Sequence, residues 1–480
     1  MKQIYALLLL FLALAAGAAE SFNSADHLIP GNGFVPLRPS PRGLCHYALP
    51  DGRILAASAG SDLLVSTDGM KTFPTVIPVA PGFRPALRIV RIGVTSAGAW
   101  IVILRAPHTP EKLGEFWDKT TRDYNPRLTG GQLFATRSTD EGKTWSSPAM
   151  ISDPALTIGF PPRNIVETPR KTLLLLAQYR TPKPGRHTVA VLRSTDDGRT
   201  WRELPARFDL PNSNGNHDGL VEPVMIQLRD PAGAVWILFR TNLGTLWESR
   251  STDDGLTWTP LRPTPVRASS SPAAILRLSD GRLVLVWNPW QDSEGWVPPM
   301  QGGADSGQRS LALASWQRRE LVLATSRDEG ATWSKPLVVA RAPKNNHRID
   351  YISLIEYKKQ LHLLGGLNAA IPLDRLPSGS PEPPFAEKIR ARLEELDRDY
   401  SLSAGQKKQI QALLEKQSAD IAAAQSDTSL HQAAKNEKIN RINKGFNQEL
   451  SGLFTPEQKK IQREKIRAKS KAAAAGKQTK

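Results

Sequence analysis

At 480 residues, 40% hydrophobic and 23% charged, the chain exceeds one ordinary core and has the composition of a soluble globular protein, which excludes disordered and collagenous classes. Its only cysteine, Cys45, rules out an internal disulfide, and no cysteine cluster or His-x-x-x-His spacing calls for a metal; no organic cofactor is implied either. The net charge of +17 is spread over the chain without a nucleic-acid-binding motif, so the expected acidic partner is an anionic glycan or an anionic envelope surface.

The chain opens with MKQIYALLLLFLALAAGAAE: one lysine, a short apolar run, then small residues from Ala16 to Ala19. This is the pattern of a secretory signal peptide over residues 1–19, and the run is short for a membrane span. Export to the periplasm, cell surface or medium is expected, with no membrane span after cleavage.

From residue 66 onward one eight-residue box recurs. STDGMKTF stands at 66–73, STDEGKTW at 138–145, STDDGRTW at 194–201, STDDGLTW at 251–258 and SRDEGATW at 326–333. Their spacing suits one four-stranded propeller blade per copy, with loop insertions. Each box follows an alternating apolar run (DLLVS, GQLFATRS, TVAVLRS, LWESRS, LVLATS), as a strand entering a turn would. In such a turn the Asp side chain caps backbone N–H groups, Gly takes the positive-φ position, and the aromatic folds back onto the sheet.

A second unit, strand–Asp-Gly–strand, recurs in ALPDGRILAAS, in LRLSDGRLVLVW and, more loosely, in QLRDPAGAVWILFR, so one blade reads as two hairpins. After the last box, DYISLIEYKKQLHLLGG offers two more strands, which HLIPGNGFVPLR near the N-terminus can complete. Strands from both chain ends in one blade would remove the exposed sheet edge. The expected fold is an all-β six-bladed propeller over residues 20–370.

The texture then changes. LPSGSPEPP reads as a Pro/Ser/Gly linker, assigned to 371–384, and FAEKIRARLEELDRDY begins a helical extension over 385–470, before a disordered basic tail at 471–480. LSAGQ at 402–406 and FTPEQ at 454–458 each pair Ser or Thr with a Gln three residues on, the spacing of a capping box. The pair resembles the L-T-x-x-Q repeats of small periplasmic helical chaperone-like proteins; a helical hairpin serving as a spacer or oligomerisation arm is the competing reading.

The boxes themselves resemble the Asp boxes (BNR repeats) of the bacterial sialidase (neuraminidase) family. Secreted propellers of several functions carry such boxes, so they imply the fold, and activity has to be read from the site. Four further segments resemble that family's signatures in the right order. RGLCHYALPDG sets Arg42 ahead of the Asp51-Gly52 turn, with Gly-Leu where the family has Ile-Pro. EPVMIQLRDPAGAVWILFR supplies Glu222 and Arg240, RRELVLATS supplies Arg318, and DYISLIEY supplies Tyr351 at the opening of a sixth-blade strand.

The resemblance implies an exo-α-sialidase-like glycoside hydrolase. Arg42, Arg240 and Arg318 would hold the sugar carboxylate, Tyr351 would be the nucleophile, and Glu222 its base. Physical reasoning supports the same set. Guanidiniums bind a carboxylate bidentately and discriminate against neutral sugars. A neutral phenol escapes the repulsion that a carboxylate nucleophile would meet from the substrate's own anion. Taken singly, each arginine also fits a surface position beside a strand, Glu222 a strand-end ion pair, and Tyr351 a packing aromatic. Arg319, next to Arg318, would face the opposite way on a strand.

For the acid/base the resemblance points to an Asp ahead of the first box, and Asp62 is the candidate, on a loop shorter than the family's. Asp118 and Asp123, in the long insertion EKLGEFWDKTTRDYNPRLTGG, are rivals. His217 and Asp218 are expected near the same mouth. Three other readings stay open: a non-catalytic propeller that binds acidic glycans, an envelope adaptor or self-associating protein acting through the helical tail, and a hydrolase for another acidic nine-carbon sugar.

Overall fold

The computed structural model describes residues 23–37, 45–83, 87–106, 117–118, 123–124, 131–181, 186–210, 219–297, 314–343, 348–379, 385–426 and 432–475. Residues 1–19, Arg42, His217, Asp218 and the tail beyond 475 lie outside them. The chain divides into two compact units, residues 1–380 and 381–480.

The first unit is a six-bladed propeller. Counting from the axis outward, blade 1 holds His46–Ala48, Ile54–Ala57, Asp62–Ser66 and Thr75–Pro78, and blade 2 holds Arg88–Val94, Trp100–Arg105, Leu133–Ser138 and Ala149–Met150. Blade 3 has a split inner strand, Thr157–Phe160 plus Ile165–Glu167, then Leu173–Arg180, His187–Ser194 and Arg202–Phe208. Blade 4 is Val221–Gln227, Val235–Arg240, Thr245–Ser251 and Arg262–Arg267; blade 5 is Ala274–Arg277, Leu283–Trp287, Glu320–Ser326 and Leu337–Arg341. Blade 6 is Ile352–Tyr357, Gln360–Gly365 and Ala369–Pro372, completed by Val35–Pro36 from the N-terminal side, with Val35 opposite Ala370. The inner strands touch in order around the ring, blade 6 meeting blade 1. Strands from the two ends of the propeller segment therefore share the closing sheet, Val35–Pro36 covering the outer edge of Ala369–Pro372.

Each blade packs on two neighbours, so its middle strands are apolar on both faces. Every residue of Leu173–Arg180 is buried. Separate apolar clusters fill the gaps between successive blades; the one closing blade 6 on blade 1, around Ile54, Met70, Ile355, Tyr357 and Leu364, is the smallest.

The boxes turn out to be staples between blades as well as turns. In all five copies the Ser hydroxyl donates to the Asp carboxylate, at 2.8–2.9 Å, and the Asp accepts from the Thr four residues later. Two consecutive residues then take positive φ: Glu141 and Gly142, Asp197 and Gly198, Asp254 and Gly255, Glu329 and Gly330, and in the worn copy Gly69 and Met70. In the four later copies the first of the pair reaches back. Glu141 meets Arg53 of blade 1 at 3.0 Å, Asp197 meets Arg137 of blade 2, Asp254 meets Arg193 of blade 3 at 2.6 Å, and Glu329 accepts the Arg229 N–H of blade 4 at 2.9 Å. The glycine that follows makes room for this approach. A Cβ on Gly198 would lie 2.4 Å from the Ile101 side chain.

The expected linker begins later than residue 371. Ile371, Leu373 and Leu376 are buried, and Arg282 of blade 5 donates to the carbonyls of Leu373, Leu376 and Pro377. The second unit contains, among the described residues, helices α1 (Phe385–Tyr400), α2 (Ala404–Ser426), α3 (Gln432–Gly452) and α4 (Pro456–Ala475). Its core gathers Ile389, Leu396, Leu402, Ile410, Leu414, Phe446, Leu450 and Phe454. Both capping boxes form. Ser403 and Gln406 bond reciprocally at the start of α2, and Thr455 and Gln458 do the same at α4. The two glutamines then cross: Gln406 donates to Leu453 O and Gln458 to Tyr400 O, at 2.8 and 2.9 Å, so each closes the end of the other pair's preceding helix. Among the described residues no helix is long and apolar enough to cross a membrane.

Candidate active site

The site lies within the propeller, at the end where inner strands begin and second strands finish. The inner strand of blade 4 loses its regular register between Val221 and Val224, a bulge that carries Glu222 and Pro223. Glu222 sits there at φ 42°, its N–H held by Gln178 Oε1 of blade 3 at 2.5 Å. Tyr351, immediately ahead of the inner strand of blade 6, has φ 57°. Positive φ is costly for residues with side chains and concentrates at functional positions.

Arg240 ends the second strand of blade 4, opposite Val221. Its Nη1 donates to Glu222 Oε2 at 2.5 Å, and both side chains are buried, at 2% and 3% exposure. Nε and Nη2 share Ser270 Oγ, each at 3.2 Å. Burial alone would depress the Arg240 guanidinium; the Glu222 carboxylate and, after it, the Tyr351 phenol outweigh it and raise the pKa. Arg240 thus bonds Glu222 and is favoured electrostatically by Tyr351, whereas no hydrogen bond joins Glu222 directly to Tyr351 among the described residues.

Arg318 precedes the third strand of blade 5. It pairs with Asp350, donates from Nη2 to Ser270 O at 2.7 Å, and sets its guanidinium 5.7 Å from the Tyr351 ring centre. Here burial, reinforced by the neighbouring Arg240, lowers the pKa against the pull of Asp350. The Trp316 ring lies against both guanidiniums, 5.8 Å from that of Arg240 and 5.7 Å from that of Arg318. Arg319, the neighbour in sequence, turns to an ion network with Asp292 and Glu294 and away from this cluster.

A further arginine joins that the sequence did not mark. Arg163 comes from the interruption in blade 3's inner strand and reaches blade 6, directly across the ring. Its Nη2 donates to Ile352 O at 2.9 Å, and its guanidinium lies 5.9 Å from the Tyr351 ring centre. Only PPR within a strand hinted at it, since two prolines in succession break a ladder. Arg42 was the expected third guanidinium, and it lies outside the described residues.

Asp62 opens the third strand of blade 1 at this end of the propeller. Its N–H donates to Ser58 Oγ at 3.2 Å and its carbonyl accepts from Ser58 N at 2.9 Å. Among the described residues nothing connects its carboxylate to Glu222, Tyr351 or the arginines. Asp118 and Asp123 occupy paired backbone positions of two short antiparallel strands, Trp117–Asp118 and Asp123–Tyr124, inside the blade 2 insertion. No group of three or more His, Cys, Asp or Glu side chains suited to a metal occurs among the described residues.

A search of curated proteins finds no match to this chain. Solved structures of similar fold include a Hadza microbial sialidase, Hz136, at 16% identity and a TM-score of 0.47, covering 73% of this chain and 67% of that one. A protein of unknown function from Dyadobacter fermentans matches at 17% identity and a TM-score of 0.47, covering 72% and 99%. A Trypanosoma rangeli sialidase in complex with 2,3-difluorosialic acid, as a covalent intermediate, matches at 14% and 0.42, covering 78% and 61%. The model of the BNR repeat-like domain matches residues 119–363, just over half of the sequence. The chain belongs to the BNR repeat-like domain family.

Proposed function

We propose that the propeller is an exported, retaining exo-α-sialidase-like glycoside hydrolase that removes a terminal acidic sugar of the sialic-acid type. The observation that carries this reading is the buried Arg240–Glu222 pair beside Tyr351, with Arg318 and Arg163 against the Tyr351 ring. In this reading the arginines bind the sugar carboxylate in a site where burial strengthens each charge-assisted bond.

Tyr351 Oη attacks the anomeric carbon as its proton passes to Glu222, and Asp62 protonates the departing glycosidic oxygen. Water, deprotonated by Asp62, then releases the sugar from Tyr351, and Glu222 returns its proton to the phenol. For transfer from Tyr351, the Glu222 carboxylate has to exchange part of its bond to Arg240 for the phenol as the substrate anion engages Arg240. Export rests on the signal-like N-terminus. Release of a fluorogenic leaving group from an α-sialoside by the purified protein tests the proposal; no release above that of a Tyr351→Phe variant contradicts it.

A second reading, a non-catalytic binder of acidic glycans, draws on the lack, among the described residues, of any contact between the Asp62 carboxylate and the cluster. It predicts sugar binding without release. Action through the helical unit as an envelope adaptor remains a separate role, which deletion of residues 381–480 would remove without affecting the sugar site.

A further inference from the structure

The inner strand of blade 3 pairs with its neighbour in two pieces. Phe160 lies opposite Gln178 and Ile165 opposite Leu175, so Pro161, Pro162, Arg163 and Asn164 bulge out of the ladder between them. Both flanks of the bulge are tied down. On one side Arg91 of blade 2 donates from Nε to Pro162 O at 2.7 Å. On the other, the Asn164 side chain bonds both backbone groups of Met225 in blade 4, accepting from its N–H at 3.1 Å. The protein thus fixes the position of one residue, Arg163, which crosses the ring to Ile352 O and the face of Tyr351.

The charges at the site separate Arg163 from the other arginines. Arg240 is paired with Glu222, and Asp350 is shared by Arg318 and Arg348. No ion pair to Arg163 occurs among the described residues; its one described hydrogen bond goes to an uncharged carbonyl. Burial works against its charge most strongly; Glu222, Tyr351 and Asp350 favour the charge through space, while Arg240 and Arg91 are like-charged neighbours. The two carboxylates nearest Arg163 are bonded to other arginines, so its guanidinium, fixed by the bulge, has N–H donors to offer an anion that arrives with the ligand.

We infer that Arg163 is the specificity-determining cation of this site, the residue that binds the ligand's carboxylate and sets the preference for an acidic over a neutral sugar. The inference rests on the acidic-sugar reading above and deepens it. It assigns to blade 3 a role that the sequence resemblance gives only to arginines of blades 1, 4 and 5.

The test uses the full-length protein, titrated with an α-sialoside and with the methyl ester of the same sialoside, in which the carboxylate is neutral. Wild type is expected to prefer the acid. Arg163→Gln keeps a polar side chain and removes the charge; it should weaken acid binding at least tenfold and leave ester binding within about twofold. Arg163→Lys should retain part of the preference, because it keeps the charge and loses the fork. If Arg163→Gln fails to fold, Arg163→Lys is read the same way, with a loss of preference of threefold or more expected.

An unchanged acid-to-ester ratio accompanied by a lower melting temperature would overturn the inference and make Arg163 a strut between opposite blades. The acidic-sugar reading would survive that result if Arg240→Gln still abolished the preference. A wild-type protein that binds the acid and the ester equally would overturn both.

Discussion

Arg240 and Glu222 form an ion pair at 2.5 Å between two side chains that are only 2% and 3% exposed, and the Glu222 end is carried on a strand bulge. Such a pair is costly to break from one side, because the remaining charge stays buried. Arg240→Met alone and Glu222→Leu alone should each destabilise the propeller by about 3–5 kcal/mol. The double replacement should cost much less than the sum of the two. Denaturant midpoints of the four proteins measure this; strict additivity would mean the pair contributes nothing mutual.

Asp254 should prove structural in spite of being a buried carboxylate. It bonds Arg193, Thr168 and Thr172, all in blade 3, from its own box in blade 4. Asp254→Ala strands these partners and should lower stability by about 2–3 kcal/mol, with sugar binding unchanged at temperatures where the protein is folded. A calorimetric scan beside a binding titration separates the two effects.

The fold was far more legible than the site. The boxes reported five of the six blades, because a box needs its Ser, Asp and Gly at fixed spacing, whatever surrounds them. Val35–Pro36 could be anticipated as the closing strand, since an open sixth blade would leave an unpaired edge. Glu222, Arg240, Arg318 and Tyr351 were legible through resemblance, each tied to a strand end of known register. Arg163 was not. Its link to Tyr351 spans 188 positions and exists only because ring closure sets blade 3 opposite blade 6. The bonds holding its bulge come from Arg91 and Met225, on two other blades. No local pattern carries that information. The later start of the linker has a similar cause, for the buried Arg282 that binds its first residues lies in blade 5.

Acid should weaken the propeller before its carboxylates titrate. Burial, aided by Arg91, holds His46 down to about 4, and burial alone does the same for His362, against an ordinary value near 6.5. Between these values the unfolded chain binds more protons than the native one. The stability from keeping each ring neutral is therefore complete above about pH 6.5 and is lost as the pH falls to 4. Melting temperature should drop across that window, and His362→Leu should flatten the drop. An equally steep drop in the variant would remove His362 from the explanation.

In the helical unit, Ser403→Ala and Thr455→Ala each remove an N-cap and should cost about 1 kcal/mol. Gln406→Ala should cost more than either, because it also frees Leu453 O. Helical ellipticity followed through thermal melting of residues 381–480 within the full chain reads these effects. Equal losses for all three would mean the crossed bonds add nothing.

The central claim is that Tyr351 attacks the anomeric carbon of an acidic sugar held by buried arginines. Incubation with 2,3-difluorosialic acid followed by peptide mass spectrometry tests it most directly, since the fluorines slow release of the covalent sugar. The account predicts one sugar adduct on Tyr351, absent from Tyr351→Phe and suppressed by Arg240→Gln. A wild-type protein that releases the leaving group from an α-sialoside with no adduct at Tyr351, or that binds the fluorosugar and forms none, would contradict it.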